Sequence, residues 1–176
     1  MRFGLPLFAA FGVVSAALAS AGCSSDTAAP AGGGGSSAAD SSSGGESVSC
    51  LDDPRIDTYT AQLEKTGAHG VLTFELVSSE PAPPAKGSNT FEVLVTDVDG
   101  MPVSGNLGVE LLMPDHGHGT QVPPVVTFDV DSNAYDVSPV YLFMPGVWRI
   151  ELDYYGDAPV DADPVDRATF FFCIEG

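Results

Sequence analysis

Two histidines and two methionines are the residues of this chain whose types and spacing could do chemistry. His116 and His118 alternate with glycines in a heptapeptide that begins at Met113, and Met144 lies in a second short loop. Imidazole binds copper in either oxidation state, and a thioether favours Cu(I). Residues i and i+2 of an extended segment project to the same side. The pattern therefore predicts a site for copper, or a similar soft metal, formed by His116, His118, Met113 and Met144.

The same residues also have an interpretation without chemistry. A loop of glycines and histidines between two strands is often only a polar connection, and methionines beside strand ends commonly fill a core. Asp115 could bind an ion or orient an imidazole. The third histidine, His69, has no second donor beside it and is expected on the surface. The residues alone leave both interpretations of the loop open.

Other chemistries lack the residues that they need. Asp97 and Asp99 precede Gly100 like the start of a calcium loop, but no later carboxylate completes the pattern. The chain has no Gly-x-Ser-x-Gly nucleophile elbow, and no phosphate-binding glycine loop follows a predicted strand. We therefore predict no catalytic residues and do not expect an enzyme.

Charge and composition exclude several classes of protein. The 176 residues include 24 Asp and Glu but only 6 Lys and Arg, a net charge of −18. Nucleic-acid binders and polybasic membrane-surface proteins depend on an excess of basic side chains, so neither class fits. The 20 glycines and 14 prolines favour turns and strands over long helices. The length suits one ordinary domain with an appendage.

The N-terminal residues have the pattern of an export signal. Arg2 precedes a short apolar run that ends in small residues before Cys23, which is typical of a signal peptide rather than a membrane span. The end of this run resembles a bacterial lipobox, although Ser20 stands where leucine is usual. We predict a signal peptide over 1–22 and a lipid on Cys23. The alternative is ordinary cleavage, which would leave Cys23 as a free thiol.

The predicted lipid implies a place in the cell. It would anchor the protein to a membrane on the extracytoplasmic side. Ser24, rather than an aspartate, follows the cysteine, which favours the outer membrane in a cell that has one. Residues 23–49 contain almost only Ser, Gly, Ala, Asp and Pro, so we predict a disordered tether. A coil of that length spans roughly 30 Å.

The two remaining cysteines bracket the rest of the chain. Cys50 and Cys173 stand near the two ends of a predicted domain over 50–176. In an oxidising compartment such a pair favours a disulfide. Two buried free thiols, or metal ligation by both, are the alternatives, but two cysteines are too few for a structural zinc site. We predict the disulfide.

The domain is predicted to be all-β. Short turns rich in Gly, Pro and Asp separate the apolar runs, and no helical period of useful length lies between them. This is typical of an immunoglobulin-like antiparallel β-sandwich of about seven strands. Residues 57–65 suit either an edge strand or a short helix. The predicted strands cover 71–77, 90–98, 107–113, 125–130, 134–137, 147–154 and 168–174.

Several motifs occur together in this domain: Asn89-Thr90-Phe91, Asp99-Gly100-x-Pro102-Val103, Met113-Pro114-Asp115-His116-Gly117-His118-Gly119, Tyr135 and Phe143-Met144-Pro145-Gly146-x-Trp148. Their combination resembles the YtkA-like domain family, which is related to the FixH-like proteins. The resemblance covers roughly residues 70–172. It implies an immunoglobulin-like β-domain outside the cytoplasm, often in a lipoprotein. FixH-like relatives are linked to copper delivery for respiratory oxidases, but they carry a membrane segment that has no counterpart here.

The predicted protein is thus a monomeric, lipid-anchored component of the cell envelope. It would bind copper for sequestration or for handover to a protein partner that the sequence does not identify. The alternative is a non-catalytic structural or protein-binding β-sandwich that holds no metal.

Overall fold

The structure, a computed structural model, describes residues 49–176. The predicted signal peptide over 1–22, the lipid on Cys23 and the tether over 23–49, except for Ser49, lie outside the described residues. Within 49–176, no helix is long and apolar enough to cross a membrane.

In the described part of the chain, nine strands form two antiparallel sheets, which confirms the prediction of an all-β antiparallel sandwich. One sheet has the order β1-β2-β3-β7-β6 and the other the order β5-β4-β8-β9. All the predicted strands are present, and β1 and β5 are additional to them. The strands are β1 (Leu63–Thr66), β2 (Leu72–Glu80), β3 (Gly87–Asp97), β4 (Asn106–Met113), β5 (His118–Gly119), β6 (Val125–Asp129), β7 (Ala134–Leu142), β8 (Gly146–Gly156) and β9 (Asp166–Ile174).

Strand β1 contains only the last three of residues 57–65, so the edge strand is present in part and residues 57–62 form neither strand nor helix. It pairs with β2 at the edge of the larger sheet, and no helix forms there. The Nζ of Lys65 donates hydrogen bonds to Asp57 at 2.6 Å and to the carbonyl of Thr169 in β9 at 2.8 Å. The edge of one sheet is thereby tied to the neighbouring edge of the other.

The core lies between the sheets and follows the alternation of the strands. Alternate side chains are buried along β9, through the middle of β3 and along β2 as far as its register shift after Leu76, while those between them are partly or fully exposed. Burying large apolar side chains is the main favourable contribution to folding. The largest fully buried side chains include Trp148, Tyr135, Phe74, Phe91 and Phe170.

A disulfide joins Cys50 to Cys173, as predicted, with 5.4 Å between their Cα atoms. Cys50 begins a single 3₁₀ turn, Cys50–Asp52, and Cys173 lies in β9. The bond fixes the start of the described chain to the last strand.

Asp166 is a fully buried carboxylate at the start of β9. A Cβ atom on Gly67 would lie 2.2 Å from the Asp166 carboxyl carbon, so only glycine fits against it. Four backbone N–H groups donate to the carboxylate at 2.8–3.0 Å, and they belong to His69, Val71, Leu72 and Arg167. Asp166 therefore fixes the turn between β1 and β2 against β9.

Glu64 and Glu75 lie directly opposite each other on β1 and β2. Burial raises the pKa of Glu75, and the charges of Glu64 and Glu92 raise it further. A carboxyl group whose pKa is raised by folding adds stability at low pH, and that stability is lost as the pH rises through the folded pKa. Like charges directly opposite each other on two strands destabilise the sheet, and a lysine at position 64 would replace this repulsion by attraction. We therefore expect Glu64→Lys to raise the free energy of unfolding at pH 7 by about 0.5 kcal/mol.

Urea unfolding at pH 7 measures this gain. Glu80→Lys is the control, because it changes the net charge equally but lies opposite Thr90. Equal stabilisation by the two variants would show that only net charge matters.

Candidate metal site

His116 lies in the turn that joins β4 to β5, and His118 is the first residue of β5. The backbone N–H groups of His116 and Gly117 donate to the carbonyl of Met113 at 3.1 and 2.9 Å. Gly117 has a φ of +69°, a left-handed conformation that glycine adopts without strain. A Cβ atom on Gly119 would lie 2.2 Å from the carbonyl oxygen of Leu111. The glycines that alternate with the histidines are thus required by the tight return of the backbone.

The turn brings the two imidazoles together. Their ring centroids are 5.6 Å apart and the ring planes meet at 82°. Both side chains are exposed, and within residues 49–176 neither ring forms a hydrogen bond. The ring of His69, by contrast, is hydrogen-bonded to the carbonyl of Val165. With metal–nitrogen bonds of about 2 Å, two imidazoles on one ion have centroids within about 6 Å of each other. The observed separation is compatible with a shared ion.

Met144 and His118 line the same part of the surface. The two side chains line one surface depression of about 600 Å³, together with Tyr141 and Phe143. Met144 is half-buried, and its carbonyl accepts a hydrogen bond from the indole N–H of Trp148 at 2.9 Å. The buried Trp148 therefore holds the loop after β7 in place.

Met113 occupies a different position from Met144. It is opposite His118 in the β4–β5 register, so the two side chains project from the same face of the sheet. Its side chain is nevertheless fully buried, and a Cβ atom on Gly146 would lie 2.9 Å from the Met113 methyl group. The structure thus places His118 and Met144 at one surface depression and Met113 in the core.

A row of aromatic rings supports His118. Its imidazole stacks on Phe143 at a centroid distance of 5.8 Å and an interplanar angle of 24°. Phe143 stacks in turn on Tyr141 and meets Trp148 edge-on at 5.5 Å. The orientation of the His118 ring is therefore set by stacking. In the sequence, the feature that could have indicated this stacking is the pair of aromatic residues Phe143 and Trp148 on either side of Met144.

Asp115 is held by Arg55, which lies 60 positions away in the sequence and is part of none of the predicted motifs. The Nη2 atom of Arg55 lies 2.8 Å from Asp115 and 2.7 Å from Asp53. The hydrogen bond from Arg55 lowers the pKa of Asp115. Its carboxylate therefore serves an ion pair that links the segment after Cys50 to the histidine turn.

The number of conventional ligands at the turn is limited. Among residues 49–176, no group of three or more His, Cys, Asp or Glu side chains is arranged to hold a metal ion. A metal ion at this turn would therefore have at most two imidazoles as nitrogen donors from these residues, and the methionine sulfurs are the other soft donors nearby.

The motifs of this region agree with a known family. A family model described as YtkA-like matches residues 66–153, half of the chain. The chain belongs to the YtkA-like family. The match runs from the end of β1 into β8 and includes the whole candidate site, whereas the disulfide cysteines and β9 lie outside it. No curated protein and no solved structure matches the chain.

Proposed function

We propose that this YtkA-like domain binds one copper ion at the turn of His116 and His118, for sequestration or handover. The observation that carries the proposal is the pair of exposed imidazoles, 5.6 Å apart by ring centroids, one of which shares a surface depression with Met144. Neither ring is engaged by a hydrogen bond within the described residues. Both can therefore approach an ion without breaking a hydrogen bond.

The donor set favours copper over the harder metals. Thioether sulfur is a soft ligand that suits Cu(I), while calcium, magnesium and manganese prefer oxygen. The nearest carboxylate in sequence, Asp115, is paired with Arg55. We assign His116, His118 and Met144 as the ligands that reach the ion from the surface. Met113 lies on the same face below His118 and is the candidate for a further donor.

The proposed location is the extracytoplasmic side of the cell envelope, with the lipid on Cys23 as the anchor. The lipobox-like sequence supports this location. The disulfide supports it too, because such bonds persist in oxidising compartments. In that setting the domain would hold copper outside the cytoplasm, and the neighbouring protein that donates or receives the ion would be its partner.

Metal titration of the purified full chain tests the proposal. Cu(I) is titrated against a competing chelator, and Cu(II) is titrated separately. We expect one equivalent of tightly bound Cu(I), which the double variant His116→Ala/His118→Ala no longer binds. Met144→Leu should weaken binding by at least about tenfold, the effect seen even for residues that only support a ligand.

Two variants provide matched comparisons. His69→Ala removes the third histidine, whose ring is hydrogen-bonded to the carbonyl of Val165. This variant should bind copper like the wild type. Met113→Leu reports whether the buried sulfur contributes. Binding that survives in the double variant, or fails equally in His69→Ala, would refute a site at this turn.

A further inference from the structure

The smaller sheet leaves part of one strand uncovered. Strand β4 pairs with β8 along one side, from Asn106 to Leu112. On its other side, β5 pairs only with Leu112 and Met113. Among the described residues no strand pairs with 106–110 on this second side, so this half of β4 is an open edge.

The register shows which backbone groups this edge exposes. Pro114 has no N–H, so Met113 and His118 must be the pair that exchanges both backbone hydrogen bonds between β4 and β5. Backbone direction alternates along a strand, so Leu107 and Val109 direct their N–H and C=O groups to the same side as Met113. No strand of the described chain pairs with these groups.

A groove of about 750 Å³ runs beside the open edge. Residues 105–110 form one wall, and Val126 and Phe128 of β6 line the other. Both β6 side chains are only half-buried, since the opposite sheet ends before it covers them. A strand added to β4 would lie about 4.8 Å from it and would cover these side chains. The groove therefore combines unpaired backbone groups with an apolar wall, as a vacant strand position does.

The charges around the groove indicate what could occupy it. Glu110 and Asp153 line it, and no basic residue does. With Glu151 they share two arginines, Arg149 and Arg167, which leaves one carboxylate charge uncompensated. A second copy of this chain is disfavoured, because it would bring another acidic edge from a protein of net charge −18.

We infer that the open edge of β4 binds an extended segment of a partner protein in which apolar and basic side chains alternate. The segment adds to the sheet as an antiparallel strand in continuation of β5. Its apolar side chains pack against Val126 and Phe128, and its basic side chains face outward toward Glu110. Main-chain hydrogen bonds supply affinity in this mode of recognition, and alternate side chains supply specificity. The site lies at the opposite end of β4 from the histidine turn and needs no metal.

A capped heptapeptide of alternating valine and lysine, titrated into the purified full chain by calorimetry and NMR, tests the inference. With valines facing the core, the valine N–H groups point to β4 and the lysine N–H groups point away. We expect binding that protects the amides of Leu107 and Val109 from hydrogen exchange. N-methylation of the valines should weaken binding at least about tenfold, since it removes the main-chain hydrogen bonds. N-methylation of the lysines is the matched control and should have little effect.

A pair of protein variants gives a second test. Val126→Lys places a charge in the groove and should abolish binding, whereas Val125→Lys, on the exposed face of the same strand, should not. If Val126→Lys unfolds, the two methylated peptides on the wild-type protein still decide the question. Absence of binding, or equal affinity of the two methylated peptides, would overturn the inference. A valine–glutamate peptide that binds as tightly as the lysine peptide would overturn its charge component.

Discussion

Replacing Cys50 and Cys173 together by alanine should lower the free energy of unfolding by about 3 to 5 kcal/mol. The bond closes a loop between residues 123 positions apart, so it removes a large part of the conformational freedom of the unfolded chain. The segment around Cys50 is only a single 3₁₀ turn, and the next backbone hydrogen bond that ties it to β9 is the one from the Asp57 N–H to the Phe171 carbonyl. Urea unfolding of the oxidised wild type and of the double variant measures the difference.

Reductant provides the control for this prediction. Dithiothreitol should bring the wild type to the stability of the double variant and leave the variant unchanged. A double variant as stable as the oxidised wild type would show that native contacts, rather than the covalent bond, hold the first segment to β9. Loss of the bond should also free the segment that carries Arg55, and with it the ion pair to Asp115.

Asp166→Ala should destabilise the fold by about 3 kcal/mol or more, because four backbone N–H groups lose their common acceptor. Asp166→Asn keeps the shape and one oxygen, so its cost should be smaller. Urea unfolding at pH 7 measures both variants. Asp163→Asn, an exposed change in the loop just before β9, is the control and should alter stability little.

The pH dependence separates the charge of Asp166 from its shape. Burial alone would raise the pKa of Asp166, but the four N–H donors outweigh it and hold the pKa below its ordinary value. A lowered pKa contributes stability above the unfolded value, near 3.9, which is lost as the pH falls through the folded value. The gap between wild type and Asp166→Asn should therefore narrow as the pH falls from 5 toward 3. A gap independent of pH would contradict this account.

The sequence predicts those strands in which apolar and polar residues alternate over several positions. Alternation over several residues, as in 90–98 and 147–154, identifies a half-buried strand whatever it pairs with. Strand β5 has only two residues, too few for any periodicity, and it exists because the turn returns His118 to Met113. Residues 57–65 mix two patterns, and only residues 63–65 join a strand, through pairing with β2.

The site was predictable only where its residues are neighbours in sequence. The spacing of His116 and His118 indicates that their rings can meet, and the structure places them together. Arg55 lies 60 positions from Asp115, and no local pattern connects the two. The same holds for Asp166, whose donors include backbone groups 94 to 97 positions away. Such contacts depend on which strands become neighbours, and one sequence does not show this.

The disulfide also determines how the domain responds to mechanical force. Cys50 lies at the second described residue, and only three residues follow Cys173. A pull between the two ends of residues 49–176 therefore travels through the covalent bond and bypasses both sheets. End-to-end stretching would extend only the chain outside this ring, and the strands would bear no load until the bond is reduced. A domain closed in this way can transmit tension between its ends while its sheets and its histidine turn keep their shape.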